Sequence, residues 1–174
     1  SGSECYAGAY LSGVYKSTDG GYNWFQTSIN DRSVHALTSL NGNIYAGGQK
    51  RMGIFVSTNG GSNWTHTPFS EIQISSLVAT DSTIVCGTFS SGLYTTTDAG
   101  NFWNQTYANE VGEQVNTLCF NANYVFAGFD NGLSNIIRST NHGRVWNNIS
   151  LPVTTTVNTI HFTNGYLFAG TEGY

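Results

Sequence analysis

The word S/T-x-D/N-x-G-x-x-W occurs four times in this chain. It reads STDGGYNW at 17–24, STNGGSNW at 57–64, TTDAGNFW at 96–103 and STNHGRVW at 139–146. A word that returns at a nearly constant interval restricts a chain to a repeat architecture, in which one supersecondary unit is copied and stacked on itself.

Two further words travel with it. One is a hydrophobic residue followed by Ala or Cys and then Gly: Tyr6-Ala7-Gly8, Tyr45-Ala46-Gly47, Val85-Cys86-Gly87, Phe126-Ala127-Gly128 and Phe168-Ala169-Gly170. The other precedes it: Val34 with Leu37, Ile74 with Leu77, Val115 with Leu118, and Val157 with Ile160. From that Val or Ile to the following Gly is 13 residues in all four copies. The spans from Gly to the turn word (9, 10, 9 and 11) and from Trp to the next Val or Ile (10, 10, 12 and 11) vary. The repeat is thus 39 to 43 residues long, with two rigid and two elastic parts.

Each period reads as four short strands, in the second period 34–40, 43–48, 53–58 and 63–67. β-branched and aromatic content with Asn-Gly breaks favours strand over helix. Val34 and Leu37, three apart, are expected to face opposite sides of a strand, so both sheet faces need covering. The predicted fold class is all-β: a β-propeller of about four repeats of four antiparallel strands, or a segment of a larger ring. A two-sheet sandwich would show one polar face and no fixed period. The expected blades are 4–27 (partial), 33–67, 74–106, 114–149 and 156–171 (partial), together one propeller domain or part of one.

The turn word joins the third and fourth strands of a blade. Asp19 or Asn59 is expected to accept backbone N–H groups one or two residues on, with the hydroxyl of Ser17 or Ser57 in the same knot. Gly21, Gly61, Gly100 and Gly143 are placed at positive φ. Trp24, Trp64, Trp103 and Trp146 are expected to cover junctions between sheets. Thr96 with Asp98 and Ser139 with Asn141 complete the set. The role is structural: Asn59 and Asn141 lack the charge that a hard cation favours. Asp19→Ala and Asp98→Ala should therefore weaken stability rather than function.

These residues resemble the Asp-box, or bacterial neuraminidase repeat, motif over nearly the whole chain. The motif is found in propellers of sialidases, xyloglucan-cleaving glycosidases, sortilin-type receptors and photosystem assembly factors. GVYKSTDGG looks especially like repeats of secreted bacterial proteins. The resemblance implies a propeller whose boxes lie opposite the working face, and it says little about function.

In such a fold the two elastic spans open on one face, and loop variation confined to one face marks a binding face. The candidates are Tyr10, Asp31, Arg32, Gln49, Lys50, Arg51, Glu71, Tyr107, Glu110, Glu113, Asp130 and Asn131. Sialidase-type chemistry would gather three arginines on a carboxylate. Only Arg32 and Arg51 fall in these loops, while Arg138 precedes its box and Arg144 lies inside one. Paired carboxylates for glycoside hydrolysis could come from Asp31, Glu71, Glu110, Glu113 and Asp130, but the xyloglucanase cleft lies between two larger propellers. No catalytic residue is assigned, and no metal or cofactor is expected. His35, His66, His142 and His161 are scattered without a ligand spacing.

Charged residues make up 9% of the 174 and the net charge is −4, with six Lys plus Arg. No basic patch is available for nucleic acid. No apolar run approaches the roughly 20 residues that span a bilayer, and no leader peptide is recognisable. Cys5, Cys86 and Cys119 are odd in number and form no CxxC pair, which points to buried thiols. Sequons begin at Asn63, Asn104 and Asn148, all expected on outermost strands.

Four boxes accompany five Ala-Gly strands. An open arc of blades would expose apolar faces, so the ends are expected to close or to associate with further blades or other chains, the segment 166–170 mediating the contact. The function expected is that of a secreted or cell-surface, non-catalytic binding or scaffold module that contacts protein or glycan through its loop-rich face. The alternative is a fragment of a carbohydrate-active enzyme, a glycoside hydrolase.

Overall fold

The computed structural model describes residues 4–108, 114–130, 135–149 and 151–172. The chain forms two compact units, Ser1–Ile74 and Ser75–Tyr174. Every described element is a β-strand.

In the first unit, β1 (Cys5–Ala9), β2 (Gly13–Ser17) and β3 (Phe25–Gln26) form a three-stranded sheet, and β4 (Val34–Leu40), β5 (Asn43–Gly48), β6 (Ile54–Ser57) and β7 (Thr65–His66) a four-stranded one. β8 (Ile74–Ala79), all but its first residue in the second unit, makes one four-stranded sheet with β9 (Ile84–Thr88), β10 (Leu93–Thr96) and β11 (Asn104–Tyr107). β12 (Val115–Asn121), β13 (Tyr124–Phe129), β14 (Ile136–Ser139) and β15 (Asn147–Asn148) make another, and β16 (Val157–Thr163) pairs with β17 (Tyr166–Thr171). The recorded strand pairs are all antiparallel between chain neighbours. This is the organisation of a β-propeller segment.

The Val-x-x-Leu word folds differently from its sequence reading. In β4, Val34 pairs with Gly48 but Ala36 pairs with Gly47, so His35 is an extra residue, a β-bulge. Beyond it the alternation is inverted. Leu37 pairs with Ala46, which shares a face with Gly48. Val34 and Leu37 therefore lie on one face, not two. The same shift occurs between Val115 and Thr117 and between Val157 and Thr159. The bulge concentrates both apolar residues of the strand on the face turned toward the preceding sheet.

The hydrophobic-Ala-Gly word supplies the other half of each junction. A Cβ built on Gly8 would lie 2.7 Å from Val34 Cγ1, one on Gly87 2.7 Å from Val115 Cγ1, and one on Gly128 2.7 Å from Val157 Cγ1. Each of these glycines is a hollow that receives the valine opening the next sheet. Burying a valine in this way stabilises by about 1.5–3 kcal/mol. In the β12–β15 sheet, Val115, Leu118, Val125, Ala127, Phe129 and Ile137 pack with Val85 and Leu93 of the sheet before. On the opposite face, Phe126 and Ile136 pack with Val157 and Ile160. Both faces are thus covered, as the repeat requires. None of the three cysteines is in a disulfide; Cys86 is buried and Cys119 half-buried, and burial pushes both thiols up.

Candidate functional site

The turn word sits at one end of each sheet, between its third and fourth strands. In the first copy, the Ser17 hydroxyl donates to Asp19 Oδ1 at 2.8 Å and accepts the Gly21 amide at 2.9 Å. Asp19 Oδ1 accepts the Asn23 amide at 2.9 Å, and Oδ2 accepts Asn23 Nδ2 at 2.7 Å. The amide bound by the carboxylate is four residues on, not one or two: the side chain spans the whole turn instead of closing a single Asx loop. The backbone amide of Asn23, then its side chain and Ser17, hold the Asp19 carboxyl down to about 2.

The asparagine copies use the same atoms. Asn59 Oδ1 takes the Ser57 hydroxyl and the Asn63 amide, and Asn141 Oδ1 takes the Ser139 hydroxyl and the Val145 amide. Asp98 Oδ1 takes the Thr96 hydroxyl and the Phe102 amide. Gly21, Gly61, Gly100 and Gly143 have φ of 96°, 83°, 92° and 85°. The indole N–H of Trp24, Trp64 and Trp103 donates to the carbonyl of Gly21, Gly61 and Gly100 respectively, whereas that of Trp146 reaches Thr106 Oγ1. Trp64 and Trp146 pack on core clusters that include residues of the sheet before them. The oxygens of these motifs are consumed within the turn, leaving little for a ligand.

The elastic spans meet at the other end of the sheets. In the first unit Ser33 is the hub. Its buried hydroxyl accepts the Leu11 amide at 3.1 Å, and its carbonyl accepts the Gln49 amide at 3.2 Å. The Gly13 amide donates to Arg32 O at 2.8 Å, and the Ile54 amide to Phe69 O at 3.2 Å. A side chain at Gly13 or Gly53 would collide with a carbonyl at 1.9 Å, so these loops cross backbone on backbone.

This knot presents a set of side chains outward. Tyr10 is 76% exposed, and Asp31, Lys50, Arg51 and Glu71 are exposed as well. Arg32 is half-buried, its guanidinium carbon 5.5 Å from the Phe55 ring and its Nε 3.6 Å from Asp31 Oδ1. Leu11 and Arg51 hold left-handed backbone, with φ of 56° and 71°, which bulky side chains seldom adopt.

In the second unit the corresponding end is braced differently. Asp130 Oδ1 accepts the Gln114 amide at 2.5 Å, and the Asp130 amide donates to Gln114 O at 3.1 Å. Tyr107 lies 5.7 Å from Phe129, ring to ring, at the edge of the core. Asn135 is the residue that sequence reasoning missed: 2% exposed, it donates to Val153 O and accepts the Leu151 amide. Nothing in an asparagine-rich stretch distinguishes it. Glu110, Glu113 and Asn131 lie outside the described residues.

The remaining candidates are dispersed. Arg138 in β14 lies 5.0 Å over the Tyr124 ring. His66 bonds Met52 O at 2.7 Å, and His142 lies 6.3 Å from the Phe120 ring. Among the described residues no group of three or more His, Cys, Asp or Glu is placed to hold a metal, and no helix is long and apolar enough to cross a membrane. Asn63, Asn104 and Asn148 are exposed on or beside fourth strands. A groove of about 230 Å³ beside the second turn is lined by Lys16, Phe25 and Gly60, among others. Its ammonium is already taken by Gly60 O at 3.0 Å and Glu4 at 2.8 Å.

No protein family profile matches the chain, and no curated protein matches it in sequence. Solved structures do match. The extracellular domain of the one-component system BT4673 of B. thetaiotaomicron is 18% identical, with a TM-score of 0.76 over 98% of this chain and 25% of that one. YCF48 bound to D1 peptide is 16% identical, with a TM-score of 0.73 over 98% and 57%. The GH74 xyloglucanase of Xanthomonas campestris is 14% identical, with a TM-score of 0.71 over 92% and 30%. The chain spans between 25% and 57% of the length of these structures. At such identities they establish the fold, a β-propeller segment, and nothing finer.

Proposed function

We propose that the chain is a non-catalytic binding or scaffold module, secreted or displayed at the cell surface, that contacts protein or glycan through its loop-rich end. On this reading it belongs with the Asp-box propellers, the four S/T-x-D/N-x-G-x-x-W turns being their boxes. One observation carries it. The turn end spends its polar atoms on its own backbone, while the loop end of the first unit turns Tyr10, Asp31, Lys50 and Arg51 outward from a knot held by Ser33. A rigid scaffold that presents exposed, chemically mixed side chains is the form of a recognition surface.

The competing reading, a fragment of a carbohydrate-active enzyme, draws on the exposed carboxylates Asp31 and Glu71 at the same end. A glycan and peptide array probed in parallel with a hydrolase screen separates the two. Binding without turnover, lost in Tyr10→Ala and Arg51→Ala, is the expected result. Turnover abolished by Asp31→Asn or Glu71→Gln would overturn the proposal in favour of the enzyme.

A further inference from the structure

Three side chains outside the repeated words make the same long reach. Gln26 Nε2 donates to Ser12 O at 2.9 Å, His66 Nε2 to Met52 O at 2.7 Å, and Gln105 Nε2 to Ser91 O at 2.7 Å. The donor follows its acceptor by 14 residues each time. Met52 O can only accept, so Nε2 is the nitrogen of His66 that carries a proton. Each donor lies on the outermost strand of its sheet, paired with an aromatic residue of the third strand: Gln26 with Tyr15, His66 with Phe55, Gln105 with Tyr94. Each acceptor ends the loop between the second and third strands, and Gly13, Gly53 or Gly92, all at positive φ, comes next.

The bond is made where the backbone ladder runs out. Alternate carbonyls along a strand point to the same neighbour. Val14 O takes the Thr27 amide and Ile54 O the Thr67 amide, so the next carbonyls on that edge are Ser12 O and Met52 O. By then the outer chain is crossing over Gly13 and Gly53, where a Cβ would meet Ile29 O and Phe69 O at 1.9 Å. Among the described residues no backbone amide reaches Ser12 O, Met52 O or Ser91 O. A side chain from the outermost strand takes each of them instead. All three donors are exposed, and ordering an exposed side chain costs about as much as one hydrogen bond returns. Three recurrences at one spacing therefore call for something that the ordering achieves.

The acceptors show what that is. Ser12 ends the loop of Tyr10 and Leu11. Met52, whose amide closes on Gln49 O at 2.9 Å, ends the turn that carries Lys50 and Arg51. These are side chains that the loop-rich end turns outward. The 14-residue stretch lies within the rigid part of the repeat, so one grip serves loops of different length and composition. In the second sheet the grip is itself braced: the His66 ring lies 4.7 Å from that of Phe55, and the Arg32 guanidinium carbon 5.5 Å from the same ring.

We propose that Gln26, His66 and Gln105 are positioning residues of the loop-rich end, latches that fix each presented loop by its last carbonyl from the outermost strand. His66 does this for the turn of Lys50 and Arg51. Gln and His do the same work because each offers an N–H at the end of a side chain of similar reach, which is also why no repeated letter marks the position. The bland alternative is a staple that only holds the outermost strand, with no local effect on the loop. That the latched loops recognise a ligand rests on the function proposed above; the latch itself is tested without a ligand, so the two can fail separately.

The chain has six Lys plus Arg, and two of them stand on the latched turn, so trypsin reads its order directly. Cleavage of a briefly opened loop tracks the population of the open form. In the native full chain, His66→Ala should speed cleavage after Lys50 and Arg51 by about three- to tenfold, the range that one net hydrogen bond supports. Cleavage after Arg144, in a turn of another sheet, should not change. His66→Gln, which installs the latch of the other two sheets, should restore the wild-type rate. Unchanged cleavage in His66→Ala overturns the proposal. So does an equal rise at Arg144, which would mean a staple for the whole fold, or a Gln variant cut as fast as the Ala variant. Near-UV circular dichroism checks folding. If His66→Ala does not fold, the first sheet gives the same test: Gln26→Ala should speed chymotrypsin cleavage after Tyr10 relative to Tyr22, and Gln26→His should reverse it. Equal rates at Tyr10 in all three forms would overturn the proposal there.

Discussion

The two ends of the sheets are held by opposite strategies. At the turn end, four copies repeat one hydrogen-bond set: a hydroxyl on a glycine amide, and a carboxylate or amide oxygen on the amide four residues on. At the loop end each unit has its own anchor, Ser33 in the first, Asn135 with the Asp130–Gln114 pair in the second. Where every copy solves the problem with the same atoms, the sequence must repeat. Where the anchor differs, side chains around it are free to differ, and recognition can be built there without disturbing the frame.

The largest effect should come from breaking the turn end at a packed copy. Gly143 has φ of 85°, and its Cβ would lie 2.6 Å from Val85 Cγ2 and 3.1 Å from Thr95 Cγ2. Gly143→Ala combines left-handed strain with overpacking and should cost about 2–4 kcal/mol. Gly20, also left-handed but with nothing within 4 Å of its Cβ, should cost only about 1 kcal/mol on the same substitution. Urea midpoints of the two variants measure the difference; equal losses would mean that the junction is not packed as described.

Next is the hydroxyl of the same turn. Ser139 is fully buried and holds the Gly143 amide at 2.9 Å. Ser139→Ala leaves that buried N–H without a partner and should cost about 1–3 kcal/mol. Ser139→Thr, which keeps the oxygen, should recover much of it. If Thr is no better than Ala, the hydroxyl is not the clamp.

Smaller again is the acid dependence that separates aspartate turns from asparagine turns. The Asn23 amide lowers Asp19 to about 2, and the Phe102 amide lowers Asp98. A carboxyl depressed in the folded state contributes stability above its ordinary value, near 4, that is lost as pH falls through the folded value. The window is thus pH 4 down to about 2. Asn59 and Asn141 do not titrate. Asp19→Asn with Asp98→Asn should flatten the loss of stability across that window in urea titrations at stepped pH. An unchanged slope would place the acid sensitivity elsewhere.

The same contrast explains what could be read from the sequence. The turn end was legible because its residues, spacing and glycines recur, and strands such as Val34–Leu40 and Asn43–Gly48 fell where periodicity placed them. The bulge at His35 was not legible. A one-residue insertion leaves no mark on composition, yet it moves Leu37 to the other face. The four-residue reach of Asp19 was underestimated because shorter Asx loops satisfy the same residue types. At the loop end, Ser33 and Asn135 act through burial and backbone partners far away in sequence, which a single sequence does not display. The charged candidates were visible as loop residues, but only coordinates show that Arg32 lies over Phe55 while Tyr10 stands free in solvent.

The smallest effect on stability, and the sharpest test of the comparison, is expected at Arg51. Its φ of 71° costs an L-residue roughly 1 kcal/mol relative to glycine. Glycine in turn loses more backbone freedom on folding, by about 0.5–1 kcal/mol. The two terms nearly cancel, so Arg51→Gly should change stability by no more than about 0.5 kcal/mol. The Met52 amide that closes this turn on Gln49 O at 2.9 Å does not involve the Arg51 side chain, so the loop keeps its shape when that side chain is removed. The variant therefore removes an exposed cation and leaves the frame intact, which no glycine substitution at the turn end can do for Asp19 or Ser139. If the loop end is the recognition surface, Arg51→Gly should melt with wild type and lose at least about tenfold in affinity for whatever glycan or peptide the arrays identify. That fold-change corresponds to about 1.4 kcal/mol of binding free energy. A variant that binds normally would remove Arg51 from the surface. One that unfolds would show that the loop end is as constrained as the turn end, and that the division between frame and surface does not hold.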